Sequence, residues 1–240
     1  MNEMPEEIYE LIKYLPYEDF EVNEYVESLS KTIQANYEKS EYQFAYFAVH
    51  LIFMTYIYCA VWKIARFHKE RYEDTLLFTR PYNKSETDLK DMKSVFSYSH
   101  LPEKDIFKFF MLIGLDDGYI GNILKLIDTR NEMAHATGKI QIYTLKDFEN
   151  AVKEIMSIAE RINNQMTSTI KNWYHNILVD FSKGKFIEED TRNIINPYDL
   201  IDKLMMVDYS LSAKELFVCC QTGISKYGDR GKHTQEVDRL

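Results

Sequence analysis

Glycine, proline and cysteine are scarce in this chain: 8, 5 and 3 residues among 240. So few backbone breakers argue against a fold of many short strands joined by tight turns. No glycine-rich phosphate loop is present, and no Ser-His-Asp order, HExxH or paired-carboxylate signature stands out. Cys59, Cys219 and Cys220 are odd in number and offer neither a CxxC pair nor Cys/His metal spacing. A disulfide framework and a zinc site are therefore not indicated, and a reducing, cytoplasmic setting fits best. Basic residues do not predominate either: 29 Lys and Arg against 38 Asp and Glu give a formal net charge of -9. Proteins that rely on general phosphate attraction are usually basic, so strong non-specific nucleic-acid binding is disfavoured while a local basic patch stays possible. The N-terminus, MNEMPEEIYE, lacks the apolar core of a signal peptide.

What the chain does have is apolar periodicity at helical spacing, with 45% hydrophobic and 14% aromatic residues. This predicts an all-α antiparallel bundle. The expected organisation is an N-terminal helical segment over 1–39, a bundle over 40–182, and a small helical extension with a polar tail over 183–240. Helices are expected over 5–15, behind Pro5, and over 18–37, with Phe20, Val22, Tyr25, Val26, Leu29 and Ile33 inward. A third is expected from Ser40, read as its N-cap, to about Tyr72. A loop over 79–88 precedes a helix over 86–96. Another helix opens at Leu101-Pro102-Glu103 and stops at Gly114. A helix over 117–137 starts behind Asp116, and a long one follows Thr144 and Asp147 to about Phe181. Short helices are expected over 186–194, 198–207 and 211–223.

Tyr42 to Trp62 contains no Asp, Glu, Lys or Arg and is long enough to cross a bilayer. Its scattered Tyr, Thr, Gln43 and His50, and the charge on both flanks, favour the centre of a helical bundle, so no membrane partner is expected. His50 reads as a hydrogen-bonded core histidine. The basic run Lys63, Arg66, Lys69 and Arg71 is read two ways. Lys63 and Arg66 are candidate contacts to RNA phosphates, or the run is a solvated helix end.

The functional signal is Arg130-Asn131-Glu132-Met133-Ala134-His135. On a helical wheel, Arg130, Asn131 and His135 extend the apolar face of the 117–137 helix, whereas Glu132 lies with Asn122, Lys125 and Thr129 on the opposite face. Asn131 and His135 are four apart and stack, so Asn131 can orient the imidazole. Arg130 and His135 lie about 140° and 7.5 Å apart, so together they must reach into a cleft completed by a second surface. A chain with 8 Arg, 6 His and 13 Asn is expected to hold an Arg-x4-His about 0.2 times by chance, and roughly 0.01 times with Asn after the Arg. The plainer alternative is an ion-paired arginine beside a satisfied histidine.

Arg130-Asn131-x-x-x-His135 near the end of a bundle helix resembles the HEPN superfamily over roughly residues 40–181. The resemblance implies a metal-independent endoribonuclease of toxin or antiviral-defence type, needing no cofactor. It further implies a homodimer in which two motifs share one RNA cleft, with an antitoxin or defence-system protein as a further partner. The site residues it implies are Arg130, Asn131 and His135. The chemistry is coherent on its own terms. An imidazole near neutrality can take the ribose 2′-OH proton or protonate the leaving 5′-oxygen, and a planar guanidinium matches phosphate oxygens. The alternative is a catalytically inactive HEPN-like module that binds RNA, nucleotide or a protein partner.

Overall fold

The computed structural model describes residues 4–16, 19–79, 93–134, 142, 144–182 and 210–227. Every regular element among them is helical. The centre is α3 (Tyr42–Phe67), in which 16 of 26 residues are buried. It is the one described helix long and apolar enough to cross a membrane, and 78% of its most apolar window is covered by the rest of the fold. Its main cover is α2 (Phe20–Glu38) on one side and α7 (Leu145–Ser182) on another. Val22, Val26, Leu29 and Ile33 form the inward stripe of α2. Phe148, Val152, Ile155, Ala159 and Ile162 do the same on α7. Because an apolar stripe at 3.6-residue spacing must be buried, these two helices pack lengthwise on α3. The Tyr56 hydroxyl, fully enclosed, donates to the Ala159 carbonyl oxygen at 3.2 Å and ties α3 to α7.

One continuous apolar cluster runs from Met4 to Met166 and includes α1 (Glu6–Ile12). Elements after α3 complete it: α4 (Lys69–Leu76), a 3-10 turn at Val95–His100, and α5 (Glu103–Ile106) continuing as a 3-10 segment, Phe107–Ile113. Phe107, Phe109 and Phe110 are all fully buried there. Gly114 ends this segment with φ 89°, the left-handed conformation that glycine adopts without Cβ strain. The helix that carries Arg130 and Asn131 is α6 (Asp117–Ala134), and the Asp116 carboxylate accepts the Tyr119 amide at 2.8 Å as its cap. Thr144 and Asp147 cap α7 reciprocally, each side chain accepting the other's backbone N–H at about 3 Å. A separate small cluster of Ile170, Leu211 and Cys219, flanked by Phe67, Trp173 and Tyr174, seats α8 (Ala213–Tyr227) against α7.

Three expectations need correction. Phe20 and Tyr25 are not inward: Phe20, 79% exposed, is the first residue of α2 behind the Asp19 cap and overhangs the helix end, and Tyr25, 37% exposed, lies outside the buried stripe with its ring against Phe96. The expected helix from Ser40 to Tyr72 is two helices broken at His68 (φ −133°, ψ 47°). The break turns Tyr72 into the core, where its hydroxyl meets that of Tyr98 at 2.9 Å. Finally, Ser40 does not cap α3. It closes α2, with φ 61°, and the Ser40 and Glu41 amides donate to the Tyr37 and Asn36 carbonyls at 3.0 and 2.8 Å. That is the hydrogen-bond pair of a Schellman cap, whose left-handed position favours glycine. Ser40→Gly should therefore stabilise the fold by about 1 kcal/mol, read as a shifted midpoint in urea denaturation. A variant no more stable than wild type would mean Ser40 is unstrained. Residues 80–88 of the expected loop, 86–92 of the expected 86–96 helix, residues 135–141 and the helices at 186–194 and 198–207 lie outside the described residues.

Candidate functional site

Helix α6 presents the expected faces. Ile123, Leu126, Ile127 and Met133 are buried, Asn122, Lys125 and Glu132 are exposed, and Arg130 and Asn131 lie at the boundary. His135, the expected acid–base residue, lies outside the described residues. Arg130 is 22% exposed and its Nη2 donates to Glu103 Oε1. Glu103 stands at the start of α5, immediately after Pro102, so a short element brings a carboxylate across from α6.

The Arg130–Glu103 pair rests against the wall of α3 that carries Tyr46 and His50. His50 is 2% exposed, and its Nε2 lies 4.0 Å from Glu103 Oε2. Burial, reinforced by the nearby Arg130 cation, depresses its pKa to about 3, so the ring is neutral across the physiological range. Tyr46, one turn earlier, is pushed up to about 12, chiefly by burial. The expectation of a hydrogen-bonded core histidine is half right. His50 is in the core, but neither ring nitrogen has a hydrogen-bond partner among the described residues. Glu103 Oε2 and Arg130 Nε are likewise buried and unpaired there.

The basic run does not act as one surface. Lys63 is 1% exposed and its ammonium is bound to Glu215 of α8, itself 2% exposed. That corrects Lys63 as an RNA contact, since a buried, paired ammonium cannot meet a phosphate without dismantling the α3–α8 contact. Arg66 is exposed and its guanidinium lies over the Trp62 ring, 5.5 Å from the centroid. It sits near the far end of α3 from His50, some sixteen residues or 24 Å along the helix by rise alone. The structure therefore does not bring Arg66 to Arg130.

Glu103 and His50 are the members of the site that sequence reasoning missed. A histidine inside an uncharged helix does signal an unusual polar contact, but nothing local identifies its neighbour. Among the described residues no cluster of three or more His, Cys, Asp or Glu could hold a metal ion. A cavity of about 190 Å³ lies elsewhere, lined by Asp19, Glu21, Cys59, Trp62, Lys93 and Ser94 among others. No protein-family model matches this chain, and no curated protein or solved structure matches it.

Proposed function

We propose that the chain is a HEPN-like, metal-independent endoribonuclease that works as a homodimer in a toxin or antiviral-defence role. The observation carrying this reading is the setting of Arg130. It is a part-buried arginine near the C-terminus of α6, held at the rim of an all-helical bundle, with guanidinium Nε unspent. One imidazole of a His135 pair removes the 2′-OH proton. The 2′-oxygen attacks phosphorus, the bond to the 5′-oxygen breaks, and the second imidazole, protonated, supplies the proton to that oxygen. Arg130 neutralises the charge that develops on the non-bridging oxygens, and Asn131 orients His135. The products are a 2′,3′-cyclic phosphate and a 5′-hydroxyl. Phe44 and Leu51, 58% and 43% exposed on α3 beside the His50 face, supply apolar surface for the second copy.

RNA cleavage assayed in EDTA, with His135→Ala as comparison, tests the reading. Wild-type cutting should survive chelation and fall about a hundredfold in the variant. Equal cutting by both proteins, or loss of cutting in EDTA, rejects the mechanism. A second reading, a module that binds RNA or nucleotide without cutting it, draws on the Arg130–Glu103 ion pair, which already engages the motif's cation. Wild-type protein that binds RNA yet never cleaves it would support that one.

A further inference from the structure

Four buried polar atoms lie unpaired where Glu103 meets His50 and Arg130: His50 Nδ1, His50 Nε2, Glu103 Oε2 and Arg130 Nε. A buried donor or acceptor left without a partner is destabilising, so this arrangement is poorly satisfied. Glu103 has two possible partners and serves only one. Its Oε1 accepts from Arg130, while its Oε2 stops 4.0 Å from His50 Nε2. A hydrogen bond requires about 2.7–3.2 Å. His50 is locked in the core of α3, whereas Glu103 is 24% exposed at the first position of a four-residue helix. Glu103 is therefore the member free to move.

Turning the carboxylate towards the neutral imidazole would pair Oε2 with an Nε2–H and release the Arg130 fork. Released alone, Arg130 would be a part-buried cation without a counter-charge, which is unfavourable. The exchange becomes favourable when another planar or tetrahedral oxyanion takes the fork, and a phosphodiester matches guanidinium geometry as well as a carboxylate does. We propose that Glu103 is a built-in phosphate mimic: it occupies Arg130 in the ligand-free chain and yields to an RNA phosphodiester by passing its hydrogen bond to His50. The contact is self-inhibitory, since it keeps the motif's cation engaged until a competing anion arrives. The identity of the anion rests on the ribonuclease reading. The exchange itself is a binding event and needs no cleavage.

The test is fluorescence anisotropy with an all-2′-O-methyl oligoribonucleotide, which lacks the nucleophile and cannot be cut. Glu103→Gln should bind it about tenfold more tightly than wild type, the equivalent of one strong polar contact no longer competed for. Adding Arg130→Ala should erase that gain. In unmodified protein, the His50 imidazole nitrogen signals should shift on titration with the same oligonucleotide, as the ring acquires an acceptor. Unchanged or weaker binding by folded Glu103→Gln, or an unmoved His50 signal at saturation, overturns the proposal. Cleavage of ordinary RNA by wild type, followed separately, tells the two ideas apart. Tighter binding by Glu103→Gln without any cleavage sinks the ribonuclease and keeps the exchange. Cleavage without tighter binding does the reverse.

Discussion

Glu215→Ala is expected to remove about 3–5 kcal/mol of folding stability, because it strands a charged lysine inside the bundle. Lys63 and Glu215 are 152 positions apart in sequence and almost fully enclosed. Glu215 has a second task, accepting the Ser212 amide at 2.8 Å while the Ser212 hydroxyl accepts the Glu215 amide, so alanine also removes a helix cap worth about 1 kcal/mol. Glu215→Gln, which keeps the cap and removes only the charge, separates the two contributions. The partners are not equivalent. Lys63 sits about one turn from the C-terminal end of α3, on its buried face, and cannot leave the core without disrupting that end of the helix. Glu215 rides on α8, which is seated by a small cluster distinct from the main core. Losing Lys63 leaves a carboxylate that can depart with α8, so the cost of Lys63→Met is limited by the docking energy of that helix. Urea denaturation should rank Glu215→Ala as the most damaging change, then Glu215→Gln, then Lys63→Met. Lys63→Met combined with Glu215→Gln should recover to within about 1 kcal/mol of wild type, since an apolar replacement of a buried ion pair is often neutral. Single variants indistinguishable from wild type would mean that the pair is not buried in solution.

The same pair shows where pattern reading stops. Periodicity placed the inward stripes of α6 and α7 correctly, and Val22, Val26, Leu29 and Ile33 of α2 though not Phe20 or Tyr25, because a helical repeat is a property of consecutive residues. Thr144 with Asp147, Asp116 ahead of α6 and Gly114 were legible as caps for the same reason: each acts within four positions. Ser40 was assigned to the wrong helix, since a serine beside two helix ends suits either until the chain reversal is known. The break at His68 left no mark, because Phe67-His68-Lys69 contains no breaker and the turn is imposed by the burial of Tyr72. Lys63 looked like part of a basic run, although it continues the buried face of α3. Arg130 was legible as half of a motif. Its partner Glu103, 27 positions earlier, was not, and neither was His50 as their neighbour. A polar residue in an apolar helix announces that it needs a partner; only the tertiary fold says which.

His50 makes the most demanding pH prediction. Its folded-state pKa of about 3 lies below the ordinary histidine value of 6.5. Above pH 6.5 the ring is neutral in both folded and unfolded chains and contributes nothing to pH dependence. As pH falls below 6.5 the unfolded chain takes up the proton and the folded chain does not, so stability drops. The loss grows until pH nears 3 and then levels off. The charged groups facing the ring are Glu103 and Arg130. At pH 4 the expected loss attributable to His50 is about 3 kcal/mol, from 1.36 kcal/mol per unit of pKa difference. His50→Leu removes the titration while keeping an apolar side chain in α3. Its stability relative to wild type should therefore rise by about that amount between pH 7.5 and pH 4. Urea denaturation at several pH values gives the comparison directly, with the other acid-sensitive groups cancelling between the two proteins. Parallel pH profiles would show that His50 protonates in the folded protein without penalty. The imidazole would then already have found its acceptor, and Glu103 would already be turned towards it.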